Sequence, residues 1–253
     1  LAGLFMAQGQ PYSPPIAAKL VVGSPAEKAG VKPDDKVIAI DGKPVERFQD
    51  MVQIISLSLD KQIAVTVVRS TGKGKWSDKP ITLAMTPEKI EEADRFGFKH
   101  QRGRVGMIGP SGKTEMKSHT PGTAVVAAVR EVWEISTGTL KALGQMVMGT
   151  RSTDELGGII RIGAYAGDFA QHGLVSLITF AALLSVNLGL INLLPIPMLD
   201  GGHLAFYAME TLKGGPMSER FQEYALRVGL AFLLGIMLFA TWNDLVQLKV
   251  FDY

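Results

Sequence analysis

Between Gly173 and Met209 the chain carries one ionisable carboxylate, Asp200, and no lysine or arginine. The first 22 residues of that stretch, Gly173 to Leu194, contain no charge. As a helix they would reach about 33 Å at 1.5 Å per residue, enough to cross a hydrocarbon layer of about 30 Å. A second apolar run, Val228 to Trp242, has 15 residues and would cover roughly 23 Å, so Arg227 and Asp244 must snorkel or the layer must thin. Two spans of this kind place part of the chain in a lipid bilayer. The 26 basic and 24 acidic side chains fall mostly elsewhere and nearly cancel, leaving no electrostatic footprint for nucleic acid. With no cysteine and four histidines, disulfides, thiol nucleophiles and Cys-type zinc sites are excluded. Any metal ligands must be His, Asp or Glu.

Leu1 to Ala7 is apolar, has no basic flank and does not begin with Met, so it does not read as a signal peptide. The expectation is that residues 1–10 are the end of a preceding transmembrane helix.

From Tyr12 to Pro87 the pattern is that of a small α+β domain. The apolar run Ile16 to Val22 reads as a strand stopped by Gly23, and Ser24 is placed to cap a short helix with Pro25 at its first position and Gly30 at its end. Lys36 to Ile40 is a strand, and Asp41-Gly42 is a two-residue hairpin signal. Phe48, Val52, Ile55 and Leu59 recur at helical spacing. Ile63, Val65 and Val67 alternate as in a strand, as do Ile81, Leu83 and Met85 after Gly72 and Gly74.

The run VVGSPAEKAGVKPDDKVIAIDGKPV, Val21 to Val45, resembles a PDZ domain of the bacterial kind. The resemblance implies that a peptide or protein C-terminus adds as a strand beside the helix Arg47 to Leu59, which offers Val52 and Ile55. In the permuted bacterial form the carboxylate-binding strand comes last. Gly103 to Gly109 is placed to supply it through Gly106, Met107 and Ile108, giving a domain over 12–110. The alternative is an ordinary edge strand in a PDZ fold that binds no free C-terminus.

Residues 88–123 are polar and broken by Pro110, Ser111, Gly112 and Pro121-Gly122, and read as a linker around that one strand. Thr123 to Gly149 has helical apolar spacing, but Arg130, Glu131, Glu134 and Lys141 interrupt every run that could span a membrane. An amphipathic helix on the membrane surface is expected, within a surface region 123–170.

The chemistry concentrates at the end of the first span, in Asn187, Asn192, Pro195, Pro197, Asp200 and Gly201-Gly202-His203. Amides and an acid at membrane depth persist where they face a cavity or a partner. Two prolines two apart remove helical hydrogen bonds and leave extended backbone that only a protein-lined pocket tolerates. From the residues alone, Asp200 could instead cap the next helix, and Asn187 could be either a substrate contact or an interhelical bond.

The string N-x-x-P-x-P-x-L-D-G, Asn192 to Gly201, resembles the signature of the site-2 proteases, the intramembrane zinc metalloproteases. The wider run Ser185 to His203, with KGGPMSER at Lys213 to Arg220, looks like the bacterial branch that cleaves an anti-sigma factor. The resemblance implies an α+β PDZ domain followed by an all-α membrane domain, 173–253, with about two transmembrane helices and an amphipathic helix. It implies Zn2+ held by Asp200 and by two histidines of an H-E-x-x-H helix, with its glutamate as general base. It also implies that Asn187, Asn192, Pro195 and Pro197 engage the substrate backbone. No H-E-x-x-H occurs in this sequence, and the expectation is that it lies before Leu1, so that the chain alone holds no catalytic residue. His203 has helix-face spacing to Asp200, but the family does not use it as a ligand. The implied function is regulated intramembrane proteolysis of a transmembrane protein, gated by the PDZ domain. Its setting would be a multi-pass protein of the bacterial inner membrane with the PDZ domain in the periplasm. The competing class is a noncatalytic PDZ-containing membrane adaptor.

Overall fold

Residues 1–72, 75–110 and 115–248 are described by this computed structural model. The expected breakers Gly74, Ser111 and Gly112 lie outside them. The chain opens with α1, Ala2–Gln8, and β1, Gln10–Tyr12. The apolar run from Ile16 then departs from a single strand, because β2, Ile16–Ala17, and β3, Lys19–Leu20, join different sheets. Ile16 pairs with Lys36 while Lys19 pairs with Ile108, so the chain changes partner at Ala18, and Val21 and Val22 are left exposed.

Local signals hold in the next segment. Helix α2, Pro25–Lys28, starts at Ser24, whose Oγ accepts from the Glu27 N–H at 3.4 Å. Strand β4, Asp35–Ile40, turns through Asp41 and Gly42, at φ of +49° and +75°, into β5, Lys43–Pro44. Both turn residues have positive φ, as a type I′ hairpin requires. Helix α3 is Phe48–Ser56, followed by the long strands β6, Ile63–Gly72, and β7, Lys75–Met85. The sheet order is β2-β4-β6-β7 with β5 on β4, antiparallel throughout. Val37, Ile40, Val65 and Val67 point from it onto Met51 and Ile55 of α3. Burying such a side chain contributes about 1.5–3 kcal/mol, so this face sets the position of α3.

Residues 88–104 form a hairpin where a linker was expected. Strand β8, Glu88–Ala93, pairs with β9, Lys99–Arg104, from Glu88↔Arg104 to Ala93↔Lys99. It has no apolar alternation to betray it, and charge pairs Glu91–Lys99 and Glu92–Arg102 cross it instead. Strand β10, Met107–Ile108, pairs with β3 beside α3, and β11, Glu115–Lys117, pairs with β1.

The rest is helical. Helix α4, Pro121–Val147, covers the segment expected as an amphipathic surface helix, and three of its charged residues, Arg130, Glu131 and Glu134, are paired with the first module. Arg47 bridges Asp50 at 2.7 Å with Glu131 and Glu134 at 3.0 Å, and Arg130 reaches Glu46 at 2.6 Å and Glu134 at 2.8 Å. Burial works against the Arg47 charge, but Asp50 and Glu131 outweigh it and raise its pKa. A face of α4 with Val125, Val129, Trp133 and Leu140 remains exposed.

Helix α5 is Ile159–Gln171, α6 Leu174–Asn192, α7 Asp200–Lys213 and α8 Glu219–Gln247. Helices α6 and α8 are long and apolar enough to cross a membrane by length and composition. Helix α8 runs to 29 residues because it extends the apolar run at both ends. Its Asp244 does not snorkel. It is fully buried and accepts from the Gly158 and Arg161 N–H groups at 2.9 Å and from Arg161 Nε at 3.2 Å. The carboxylate thus satisfies free donors at the positive end of α5.

Candidate functional site

The charge-free helix α6 ends where its sequence must end it. Pro195 and Pro197 lack N–H groups, so the chain from Leu193 to Leu199 cannot continue a helix. Inside this loop the Ile196 N–H donates to the Leu194 carbonyl at 2.7 Å and the Leu199 N–H to the Ile196 carbonyl at 3.1 Å. Met198 adopts φ +84°, a left-handed conformation that costs a side-chain-bearing residue strain.

What keeps the loop in this shape is a set of three glycines. A Cβ on Gly201 would strike the Leu193 and Leu194 carbonyls, one on Gly202 the Ile196 carbonyl, and one on Gly229 of α8 the Pro197 carbonyl. The backbones of α7 and α8 therefore close on the loop from two sides, at a separation that only glycine permits. The sequence signal for this packing was the Gly201-Gly202 pair, which pattern reading left unassigned.

Asp200 is the first residue of α7, with Leu199 in the cap position and no side-chain cap bond at that helix start. Its side chain is exposed, and no hydrogen bond or ion pair joins it to another side chain among the described residues. Asn192, the last residue of α6, is exposed, as is Pro195, whereas Pro197 is half-buried under α8. Asn192, Pro195 and Asp200 are thus presented by one loop. Asn187 is not brought to them. Five residues earlier on α6 it is turned by about 140°, and its Oδ1 accepts from Thr139 Oγ1 of α4 at 2.9 Å.

Among the described residues no group of three or more His, Asp or Glu side chains gathers to hold a metal. His203, one turn after Asp200, lies edge-on to Phe206 with ring centroids 6.3 Å apart. The residues present fit one oxygen ligand of a shared site rather than a complete site.

A second concavity lies in the sheet-rich module. Val52, Ile55, Gly106, Met107 and Ile108 line one groove of about 210 Å³ between α3 and β10, with Arg102 and Arg104 at its rim. Gly106 has φ +79°, and a Cβ there would overlap Ser24, so only glycine lets the strand approach α2. Met51 and Ile55 face the core while Val52 is 42% exposed to the groove.

This proline-broken loop presents a free carboxylate at the end of an apolar helix, and comparison with known proteins gives the chain its family. A family model described as peptidase family M50 matches residues 2–236, and the chain belongs to that family, the site-2 proteases. It is 39% identical over 249 residues to a protein of Agrobacterium fabrum named for zinc metalloprotease chemistry, covering 98% of this chain and 64% of that protein. It is 34% identical over 239 residues to the regulator of sigma-E protease RseP of Escherichia coli, covering 94% of this chain and 51% of that protein. The chain therefore spans between half and two-thirds of the length of these relatives.

Proposed function

We propose that this chain supplies the substrate-binding loop and one metal ligand of a zinc-dependent intramembrane protease. The observation that carries the reading is the unpaired Asp200 carboxylate, held at the head of α7 by a proline-broken loop that three glycines fix in place. Family membership and the zinc-metalloprotease name of a relative support Zn2+ as the cofactor. When bound, zinc supplies a water acidic enough to attack a peptide carbonyl near neutral pH. Asp200 contributes one anionic ligand. The other ligands and the general base come from an H-E-x-x-H helix outside this chain.

The loop has a different task. A peptide bond within a helix is shielded by its own hydrogen bonds, so a transmembrane substrate must be unwound before it can be cut. Pro195 and Pro197 keep the chain between Asn192 and Asp200 non-helical, and an asparagine can donate to and accept from an extended backbone together. Asn192 and Asn187 are assigned to that contact. The substrate is read as a transmembrane protein such as an anti-sigma factor, a reading in keeping with a relative named as a regulator of sigma-E protease.

The sheet-rich module is read as a PDZ domain in which Val52, Ile55, Gly106, Met107 and Ile108 take a peptide or protein C-terminus and gate access. Helices α6 and α8 are read as spanning the inner membrane, with α4 at its surface and the PDZ domain on the periplasmic side. Cysteines introduced at Asp60 and Gly214 are then expected to be labelled from opposite sides of the membrane; labelling of both from one side would contradict the topology.

The proteolytic role is tested on the full-length protein with a transmembrane reporter. Asn192→Leu is expected to lower cleavage about tenfold or more while bound zinc stays stoichiometric, because a substrate hydrogen bond is lost and the ligands are untouched. Zinc lost in parallel with activity would remove Asn192 from the substrate contact. A noncatalytic adaptor would cleave nothing in either form.

A further inference from the structure

We propose that Thr139 of α4 is a positioning residue that fixes the side-chain amide of Asn187 with its NH2 group directed away from α4, making Asn187 a hydrogen-bond donor toward substrate carbonyls. This rests on the substrate contact assigned to Asn187 above.

The first observation is how the helical threonines use their hydroxyls. Thr137, Thr179, Thr211 and Thr241 each donate to the carbonyl four residues back in their own helix, at 2.8–2.9 Å. That is the default for a threonine within a helix. Thr139, on the same helix as Thr137, instead donates across to Asn187 Oδ1 at 2.9 Å. A threonine in a helix divides between two rotamers, one of which serves its own carbonyls, and Thr139 gives its hydroxyl to α6 instead.

The second observation is that Thr139 sits on the pinned part of α4. Gln53 Nε2 donates to the Glu134 carbonyl at 3.0 Å, and Gln145 Nε2 donates to the Leu57 carbonyl at 2.8 Å. A Cβ on Gly138 would lie 3.1 Å from the Gln53 amide, so α3 rests against the residue next to Thr139. Bonds at Glu134 and Gln145 bracket Thr139 and hold its height against α6.

The chemical consequence follows from the amide. Asparagine has an acceptor end and a donor end, and a free side chain can turn either way. In the structure Oδ1 is the end that meets the Thr139 hydroxyl, which leaves the two N–H donors on the side away from it. An extended substrate segment presents carbonyl oxygens on alternate residues, and an outward donor matches them without needing any particular substrate side chain.

The test uses the full-length protein, a transmembrane helical reporter, and binding of the uncleaved reporter measured by fluorescence anisotropy on an Asp200→Asn background. Thr139→Val keeps shape and removes the hydroxyl. It is expected to weaken reporter binding and raise KM by about fivefold, the range of one hydrogen bond, with kcat nearly unchanged. Thr139→Ser is expected to restore both, and Thr139→Val is expected to add nothing in an Asn187→Leu protein. Unchanged binding in Thr139→Val while Asn187→Leu weakens it would overturn the positioning role and leave the proteolytic reading standing. No effect of Asn187→Leu would remove the substrate contact itself, and this proposal with it. A fall in thermal midpoint that Ser does not rescue, with KM unmoved, would mean that the bond only packs two helices, which also overturns it.

Discussion

Asp200→Ala in the full-length protein is expected to lower reporter cleavage by more than about a hundredfold and to deplete bound zinc, with the amount of inserted protein unchanged. Loss of a hydrogen-bonding neighbour of a ligand already costs about 10–100-fold in metal affinity or activity, and loss of a ligand is more severe. The fold should tolerate the change. Asp200 is exposed, makes no cap bond at the start of α7 and fills no core volume. What it gives to stability is its charge at a helix N-terminus, about 0.3–1 kcal/mol. The reading of Asp200 as a helix-start residue alone predicts the opposite pattern, a slightly lower thermal midpoint with full cleavage. Cleavage and zinc content measured on one preparation separate the two.

Gly229→Leu is expected to cost a comparable factor without touching any ligand. Its Cβ would overlap the Pro197 carbonyl, so the loop between Asn192 and Asp200 must shift or α8 must move away. A displacement of about 1 Å in a site that aligns substrate with a metal can cost about a hundredfold. Helix formation itself would gain, since leucine is favoured over glycine by nearly 1 kcal/mol in a helix interior. Gly235→Leu is the matched control, because a Cβ at Gly235 meets nothing within 4 Å. Cleavage lost in Gly229→Leu and kept in Gly235→Leu, with both proteins helical by circular dichroism, would fit the account. Equal activity in the two would show that the close approach of α8 to the loop is dispensable.

The parts of this fold that were legible in advance are those specified by a few neighbouring residues. The Asp41-Gly42 hairpin, the Ser24 cap and α6 all follow from local conformational preference or from an unbroken apolar run. The β8–β9 hairpin was not legible, because Glu88–Ala93 and Lys99–Arg104 hold charges on both faces and pair through their backbones. The role of the α4 charges was hidden for another reason. Glu131 and Glu134 read as solvent-facing until Arg47, more than 80 residues earlier, is placed between them.

The site shows the same division. Asp200, Asn192 and the two prolines stand out because acids, amides and prolines are costly in an apolar stretch. Gly229 does not stand out, since what makes it necessary is the Pro197 carbonyl of a loop more than 30 residues earlier. Asn187 was open in the sequence between a substrate contact and an interhelical bond, and the structure adds that five residues turn it to a different face of α6 from Asn192, where it meets Thr139, 48 residues away in sequence.

The central claim is that the Asp200 side chain binds zinc, and zinc-edge X-ray absorption on full-length Asp200→Cys tests it directly. These 253 residues contain no cysteine, so a thiolate at this position would introduce a sulfur that the unsubstituted protein's spectrum can be compared against. The account predicts a new zinc–sulfur distance of about 2.3 Å, absent from the unsubstituted protein. Stoichiometric zinc with an unchanged set of nitrogen and oxygen neighbours in the cysteine variant would contradict it.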